Sequence, residues 1–215
     1  KGGAELEQLG TRTTVALDKT GTLTEGKPQV TDIVALNNHS DADVLTFASA
    51  VESGSHHPLA KAILERTEAL GLTITEAENR KAHAGKGVEG ELSGVTILVS
   101  APGKLADGLL TDAAAAEVTR LENEGKTVVA VVAGNRLTGL IAMQDTLRSD
   151  AIEAISQLKA MGVSAVMLTG DNPRAAAAIA GTIGMDFRAG LMPEDKVKAV
   201  MALNNEHHTM MVGDG

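Results

Sequence analysis

The chain has 215 residues, 43% of them apolar, and carries 19 Lys and Arg against 28 Asp and Glu, a formal net charge of -9. That is enough chain for one large domain or two small ones, and the acidic balance argues against nucleic acid as the main partner. There is no cysteine, which excludes a disulfide framework, thiolate metal sites and thiol catalysis.

With two Phe and neither Trp nor Tyr, the cores must be built from Ala, Val, Leu, Ile and the eight Met, which fill irregular gaps. No apolar run approaches the roughly 20 residues that cross a bilayer, and no leader-like segment is recognisable. The chain as given reads as soluble.

In chain order, 13–17 reads as a buried strand ending at Asp18, and 28–36 as a second strand. Ser40 or Asp41 caps a helix reaching about 53. Another helix starts at Pro58, because proline suits the first helical turn, and Leu59, Ile63 and Leu70 recur at helical spacing. From 73 to 100 the pattern is β-like, broken by Gly85, Gly87, Gly90 and Gly94. Thr111 or Asp112 opens a helix to 124, and strands over 128–132 and 137–143 flank a Gly134-Asn135 hairpin turn. The rest is regular: helix 149–161, strand 163–168, helix 173–183, a short strand at Phe187, helix 194–203 and strand 210–212. Such winding predicts an α/β fold with a parallel sheet, formed by 1–28 and 137–215, with 29–136 inserted as an α+β domain of antiparallel character.

In open parallel sheets, ligands sit beyond the carboxyl ends of the strands. Three strands here end in polar, phosphate-friendly residues: Asp18-Lys19-Thr20-Gly21-Thr22, Thr169-Gly170-Asp171-Asn172 and Gly213-Asp214-Gly215. One such ending is an ordinary turn; three on one sheet edge suit phosphoryl transfer. A carboxylate at a buried strand's end is rigid and exposed. Phosphoryl charge needs hydroxyls, backbone N–H groups, a cation and Mg²⁺ to offset it. Thr20 and Thr169 offer hydroxyls, Gly21 and Gly170 open backbone, and Lys196 a point charge. Asp18 and Asp214 offer oxygen ligands for Mg²⁺. The helix starts after Asn172 and Pro193 add favourable dipoles.

The heptad from Asp18 to Thr24 resembles the phosphorylation signature of P-type ATPases, which belong to the haloacid-dehalogenase-like phosphotransferases. The Thr169 motif, Lys196 within Pro193-Glu194-Asp195-Lys196, and Gly213-Asp214-Gly215 follow in that family's order. Asp145-Thr146-Leu147-Arg148 resembles its interdomain hinge motif, and Asp171 is grouped with Asp145 and Arg148 there. The resemblance implies a haloacid-dehalogenase-like Rossmannoid phosphorylation domain in which Asp18 is the nucleophile. It also implies Mg²⁺ on Asp18, the Thr20 carbonyl and Asp214, and a phosphoryl group held by Thr20, Gly21, Thr169, Gly170 and Lys196.

Ser55-His56-His57-Pro58, with Glu52 upstream and Gly85-Lys86-Gly87 downstream, resembles the nucleotide-binding domain of heavy-metal-transporting P-type ATPases. There the His of a His-Pro pair positions adenine, which makes His57 the matching residue and Glu52, Gly85 and Gly87 its companions for ATP. Many relatives carry a Gly-Asn pair where this chain has Ser100-Ala101. The whole chain looks most similar to bacterial zinc, cadmium and lead exporters. As part of such a pump it implies transmembrane and actuator domains in the same polypeptide and transported metal bound elsewhere. It further implies a place on the cytoplasmic side of the inner membrane and a monomeric piece. Two other readings stand beside it: a free-standing haloacid-dehalogenase-type phosphatase, and a nucleotide-binding module without chemistry.

Overall fold

The computed structural model describes residues 13–206 and 208–213. In chain order the elements are β1 (Thr13–Asp18), β2 (Gln29–Ala35), α1 (Asp41–Glu52), α2 (Pro58–Ala69), β3 (Glu78–His83), β4 (Gly87–Leu92) and β5 (Val95–Ser100). There follow α3 (Asp112–Asn123), β6 (Thr127–Ala133), β7 (Arg136–Gln144), α4 (Ala151–Ala160), β8 (Ser164–Leu168), α5 (Pro173–Ile183), β9 (Asp186–Arg188), α6 (Pro193–Glu206) and β10 (His208–Val212). Local chemistry sets many of the ends. Ser40 and Asp43 form a reciprocal capping box on α1, with N–H to side-chain oxygen distances of 2.9 and 3.1 Å. Thr111 caps α3 by accepting from the Ala114 N–H at 3.2 Å, and left-handed Gly184 closes α5.

The described residues divide into two compact units. One takes the chain up to Gly26 and again from Asp145 on; the other is Lys27–Gln144. In the first, four parallel strands stand in the order β10-β1-β8-β9. Val15 and Leu17 face one layer, with Ile155 of α4 and Ala176, Ile179 and Ile183 of α5. Ala16, Val166 and Leu168 face the other, against Ala199, Val200 and Leu203 of α6. This is the doubly covered parallel sheet expected from the alternating pattern.

The second unit is a six-stranded antiparallel sheet in the order β2-β7-β6-β5-β4-β3. Strand β6 alternates across it: Val129, Val131 and Ala133 join the core under α1 and α2, and Val128, Ala130 and Val132 the core under α3. The domain boundary expected after 136 is corrected here. Strand β7 lies between β6 and β2 and pairs with both, so the insertion runs on to Gln144. At Gly139 a Cβ would lie 2.6 Å from both the Val34 carbonyl oxygen and a Val44 methyl, so α1 sits directly on β7. The strand signal from 73 begins as a strand only at Glu78. Among the described residues no helix is long and apolar enough to cross a membrane.

Candidate active site

Strand β1 lies between β8 and β10, with Asp18 in register with Leu168 and Leu17 with Val212. The ends of the three strands therefore meet at Asp18. Beyond it, Thr20 (φ -72°, ψ 124°) and Gly21 (φ 79°, ψ -7°) make a type II turn, whose second central residue needs a positive φ. The Thr24 N–H returns to the Lys19 carbonyl at 3.1 Å and closes the loop. Thr20 is left exposed.

The Lys196 ammonium lies 3.1 Å from Asp18 Oδ1. Packing of Ala199, Val200 and Leu203 under the sheet carries the first turn of α6 to that edge. Oδ1 is buried and has no hydrogen-bond partner among the described residues, so the Lys196 contact is an ion pair without an aligned N–H. A buried carboxylate oxygen left this way suits a cation that binds through oxygen. On its other side, a Cβ on Gly213 would lie 2.8 Å from Asp18 Oδ2, so the backbone after β10 passes hard against the carboxylate. Asp214, expected as a Mg²⁺ ligand, lies outside the described residues.

Thr169 is buried, and its hydroxyl accepts from the Asp171 N–H at 3.1 Å. The loop after β8 is zipped to the loop after β9 by Leu191 N–H to Thr169 O (3.1 Å) and Gly190 N–H to Asp171 O (2.7 Å). Gly170 is bare at the surface, where a Cβ would sit 3.2 Å from the Leu191 carbonyl oxygen. The two helix starts offered to phosphate are already engaged from within. Asn172 Oδ1 accepts from Arg174 and Ala175 at 3.0 and 3.1 Å, and Asp195 Oδ2 from Met192 at 3.0 Å.

Lys19, which sequence reasoning did not single out, is 8% exposed and paired with Asp171 at 2.5 Å. It fastens the loop after β1 to the loop after β8 next to the candidate nucleophile. Its signal was a lysine directly after a strand-ending aspartate. Of the three expected hinge residues, Asp145 and Arg148 flank the return of the chain. Asp145 accepts the Thr24 hydroxyl at 2.6 Å, and the Arg148 N–H donates to Leu23 O at 2.9 Å. Asp171 lies in the loop after β8, where it pairs with Lys19.

In the second unit, Glu52 closes α1 and His57 caps α2. His57 Nδ1 accepts from the Leu59 N–H at 3.2 Å, and the ring is exposed. Gly85 takes φ 71° in the β3–β4 turn. Gly87 has a stricter reason to be glycine than room for a ligand: a Cβ there would stand 2.0 Å from the Val99 carbonyl oxygen. Ser100 and Ala101 brace this turn, the Ser100 hydroxyl and the Ala101 N–H both donating to the Lys86 carbonyl at 2.9 and 3.1 Å.

Burial pushes the Glu52 carboxyl up to about 7 from the ordinary 4.5. Between those values the folded unit keeps a proton that the unfolded chain has released, so stability falls as pH rises through the window and levels off above it. Glu52→Gln removes that slope. Its unfolding free energy should gain on wild type by about 2 kcal/mol from pH 5 to pH 8 in denaturant titrations. Parallel curves would contradict a half-buried Glu52 that keeps its proton above its ordinary pKa.

The family model for haloacid dehalogenase-like hydrolase matches residues 13–215. The chain belongs to the haloacid dehalogenase-like hydrolase family. Within it, the chain is 54% identical over its whole length to a zinc/cadmium/lead-transporting P-type ATPase of Shigella sonnei, and spans 29% of that protein. Among solved structures it is similar to a zinc-transporting PIB-type ATPase in the E2.Pi state (53% identity, TM-score 0.66), covering all of this chain and 35% of that one. It is also similar to the catalytic domain of the CPx-ATPase CopB-B (27% identity, TM-score 0.73), covering all of this chain and 76% of that one. In this haloacid dehalogenase-like chain, the strand-end residues of the first unit are the ones brought together by sheet order.

Proposed function

We propose that the chain is the ATP-binding and phosphorylated part of a P-type ATPase that exports zinc, cadmium or lead. The observation that carries it is Asp18, a partly buried carboxylate ending the β1 strand, with the Lys196 ammonium 3.1 Å away and Oδ1 otherwise unpartnered. The unit of Asp18 is the phosphorylation domain and Lys27–Gln144 the nucleotide-binding domain.

An Asp18 carboxylate oxygen attacks the γ-phosphorus of ATP in line. The bond from phosphorus to the β,γ-bridging oxygen breaks, ADP leaves, and an aspartyl phosphate remains. Lys196 offsets the charge of the phosphoryl oxygens. Thr20 and Thr169 offer hydroxyls to them, and Gly21 and Gly170 bare backbone. The Asp18 carboxylate, the Thr20 carbonyl and Asp214 would hold Mg²⁺, which supplies charge neutralisation for the phosphates. Glu52, His57, Gly85 and Gly87 receive the nucleotide, and Asp145 and Arg148 sit where the chain crosses between domains. In the whole protein the chain works with transmembrane and actuator domains, on the cytoplasmic side of a bacterial inner membrane.

The free-standing phosphatase reading is weaker because Thr20 stands where independent phosphatases commonly have an acid. Thr20 cannot take a proton from water, so the phosphoenzyme is long-lived. Full-length protein incubated with γ-labelled ATP should gain acid-stable, hydroxylamine-labile label, with the yield set by Zn²⁺, Cd²⁺ or Pb²⁺. Label that resists hydroxylamine, or yields indifferent to these ions, would overturn the reading.

A further inference from the structure

We propose that Arg80 is a positioning residue for the nucleotide. Its guanidinium ties the loop between Glu52 and His57 to the strand that leads into Gly85 and Gly87. The proposal rests on the nucleotide-binding reading of this unit and adds a residue that reading did not contain.

Strands β3 and β4 pair with a register shift between Glu78 and Lys81, so Asn79 and Arg80 form a bulge. Asn79 takes a left-handed φ of 51° to make it. A bulge re-aims a side chain that would otherwise follow the pleat. Here Arg80 Nη1 donates to the backbone carbonyl of Ser53, the residue that ends α1. Ser53 has a non-helical ψ of 132°, so its carbonyl leaves the helix's own ladder, and the guanidinium that takes it up sits beside the negative end of the helix dipole.

The neighbours are arranged for this contact. Glu76 lies 3.8 Å from Arg80 Nη2 and accepts the Ser53 hydroxyl at 3.3 Å, which joins the same three residues in a ring. Gly90 on β4 is bare beneath the arginine stem: a Cβ there would lie 3.1 Å from Arg80 Cγ and 3.0 Å from Ala77 Cβ. Gly54, at φ 78°, would bring a Cβ to 3.6 Å from Nη1. An exposed ion pair alone is worth little. A bulge, a glycine beneath the stem and the residue capping a helix, all converging on one arginine, fix a distance instead. The distance fixed is that between the 53–57 loop and the β3–β4 hairpin, the two pieces of chain assigned to the nucleotide.

The test titrates ATP into the 215-residue chain and follows the amide shifts of Glu52, His57, Gly85 and Gly87. Arg80→Met keeps the aliphatic stem and removes the donors. It should raise the Kd for ATP roughly five- to tenfold by loss of preorganisation, and broaden the Ser53 and Ser55 amides before ATP is added. His57→Asn keeps a helix cap and removes the imidazole, and its cost should be clearly smaller in the Arg80→Met background than in wild type. Arg80→Lys, which keeps charge and a donor, should recover part of the affinity. A Kd within about twofold of wild type for Arg80→Met, with His57→Asn costing the same in both backgrounds, would overturn the positioning role. A wild-type chain without ATP-induced shifts at these residues would overturn the nucleotide reading itself.

Discussion

The Asp18→Asn variant of the full-length protein takes up no acid-stable phosphate from ATP. An amide is a far poorer nucleophile than a carboxylate and cannot leave an acyl phosphate behind, so the loss is complete rather than graded. The substitution is nearly isosteric. It leaves Lys196 without its partner, but that ammonium is 31% exposed in its side chain, and water replaces the pair at small cost. The variant should therefore fold with an unchanged thermal midpoint and still shift its Glu52 and His57 amides with ATP. Lys196→Ala makes the graded comparison. With the charge beside Asp18 Oδ1 removed, phosphorylation should fall roughly 100- to 1,000-fold, the range for loss of one transition-state donor. Label on the Asp18→Asn protein, or Lys196→Ala phosphorylating at the wild-type rate, would take these residues out of the chemistry.

Gly87→Ala should be the most damaging single methyl group in the second unit. The added Cβ would meet the Val99 carbonyl oxygen at 2.0 Å and Ser100 Cα at 2.8 Å, both backbone atoms of the paired strand, so no side-chain rotation relieves it. Its φ of 152° also lies where a residue with a Cβ is strained. Relief requires β4 and β5 to part at the Gly87 and Ser100 pair, the place where Ser100 and Ala101 brace the turn. We expect a loss of about 3 kcal/mol, and a thermal midpoint lower by roughly 10 °C for the transition of this unit. The first unit, which shares no strand with it, should melt as in wild type. A shift of only a degree or two would mean that β4 and β5 yield easily, and the bracing seen here would not govern the turn.

Much of the fold is legible in the sequence. Helix starts rest on contacts within four residues: Ser40 with Asp43, Thr111 with Ala114, and Pro58 after its cap. The Gly21 turn is equally local, since a type II turn demands a positive φ at that place. The strand ends at Asp18, Thr169 and Gly213 were marked by the switch from apolar to polar and glycine residues. Less could be read where partners are distant. Strand β7 was assigned to the wrong unit because its apolar pattern suits either sheet, and only its pairing with both β2 and β6 decides. At Gly87 the sequence shows only a glycine in the Gly85-Lys86-Gly87 run, and the Val99 carbonyl that excludes a Cβ there lies on another strand.

By itself the sequence determined which segments are helix or strand, and which residues stand at strand ends, because periodicity, caps and turn chemistry act over a few residues. Only the tertiary structure decided that β1 lies between β8 and β10, that Lys19 closes on Asp171, 152 positions away, and that a bulge turns Arg80 toward Ser53. Strand order and long-range pairs are chosen by burial and hydrogen bonding summed over the whole unit, and no short stretch of chain carries that sum.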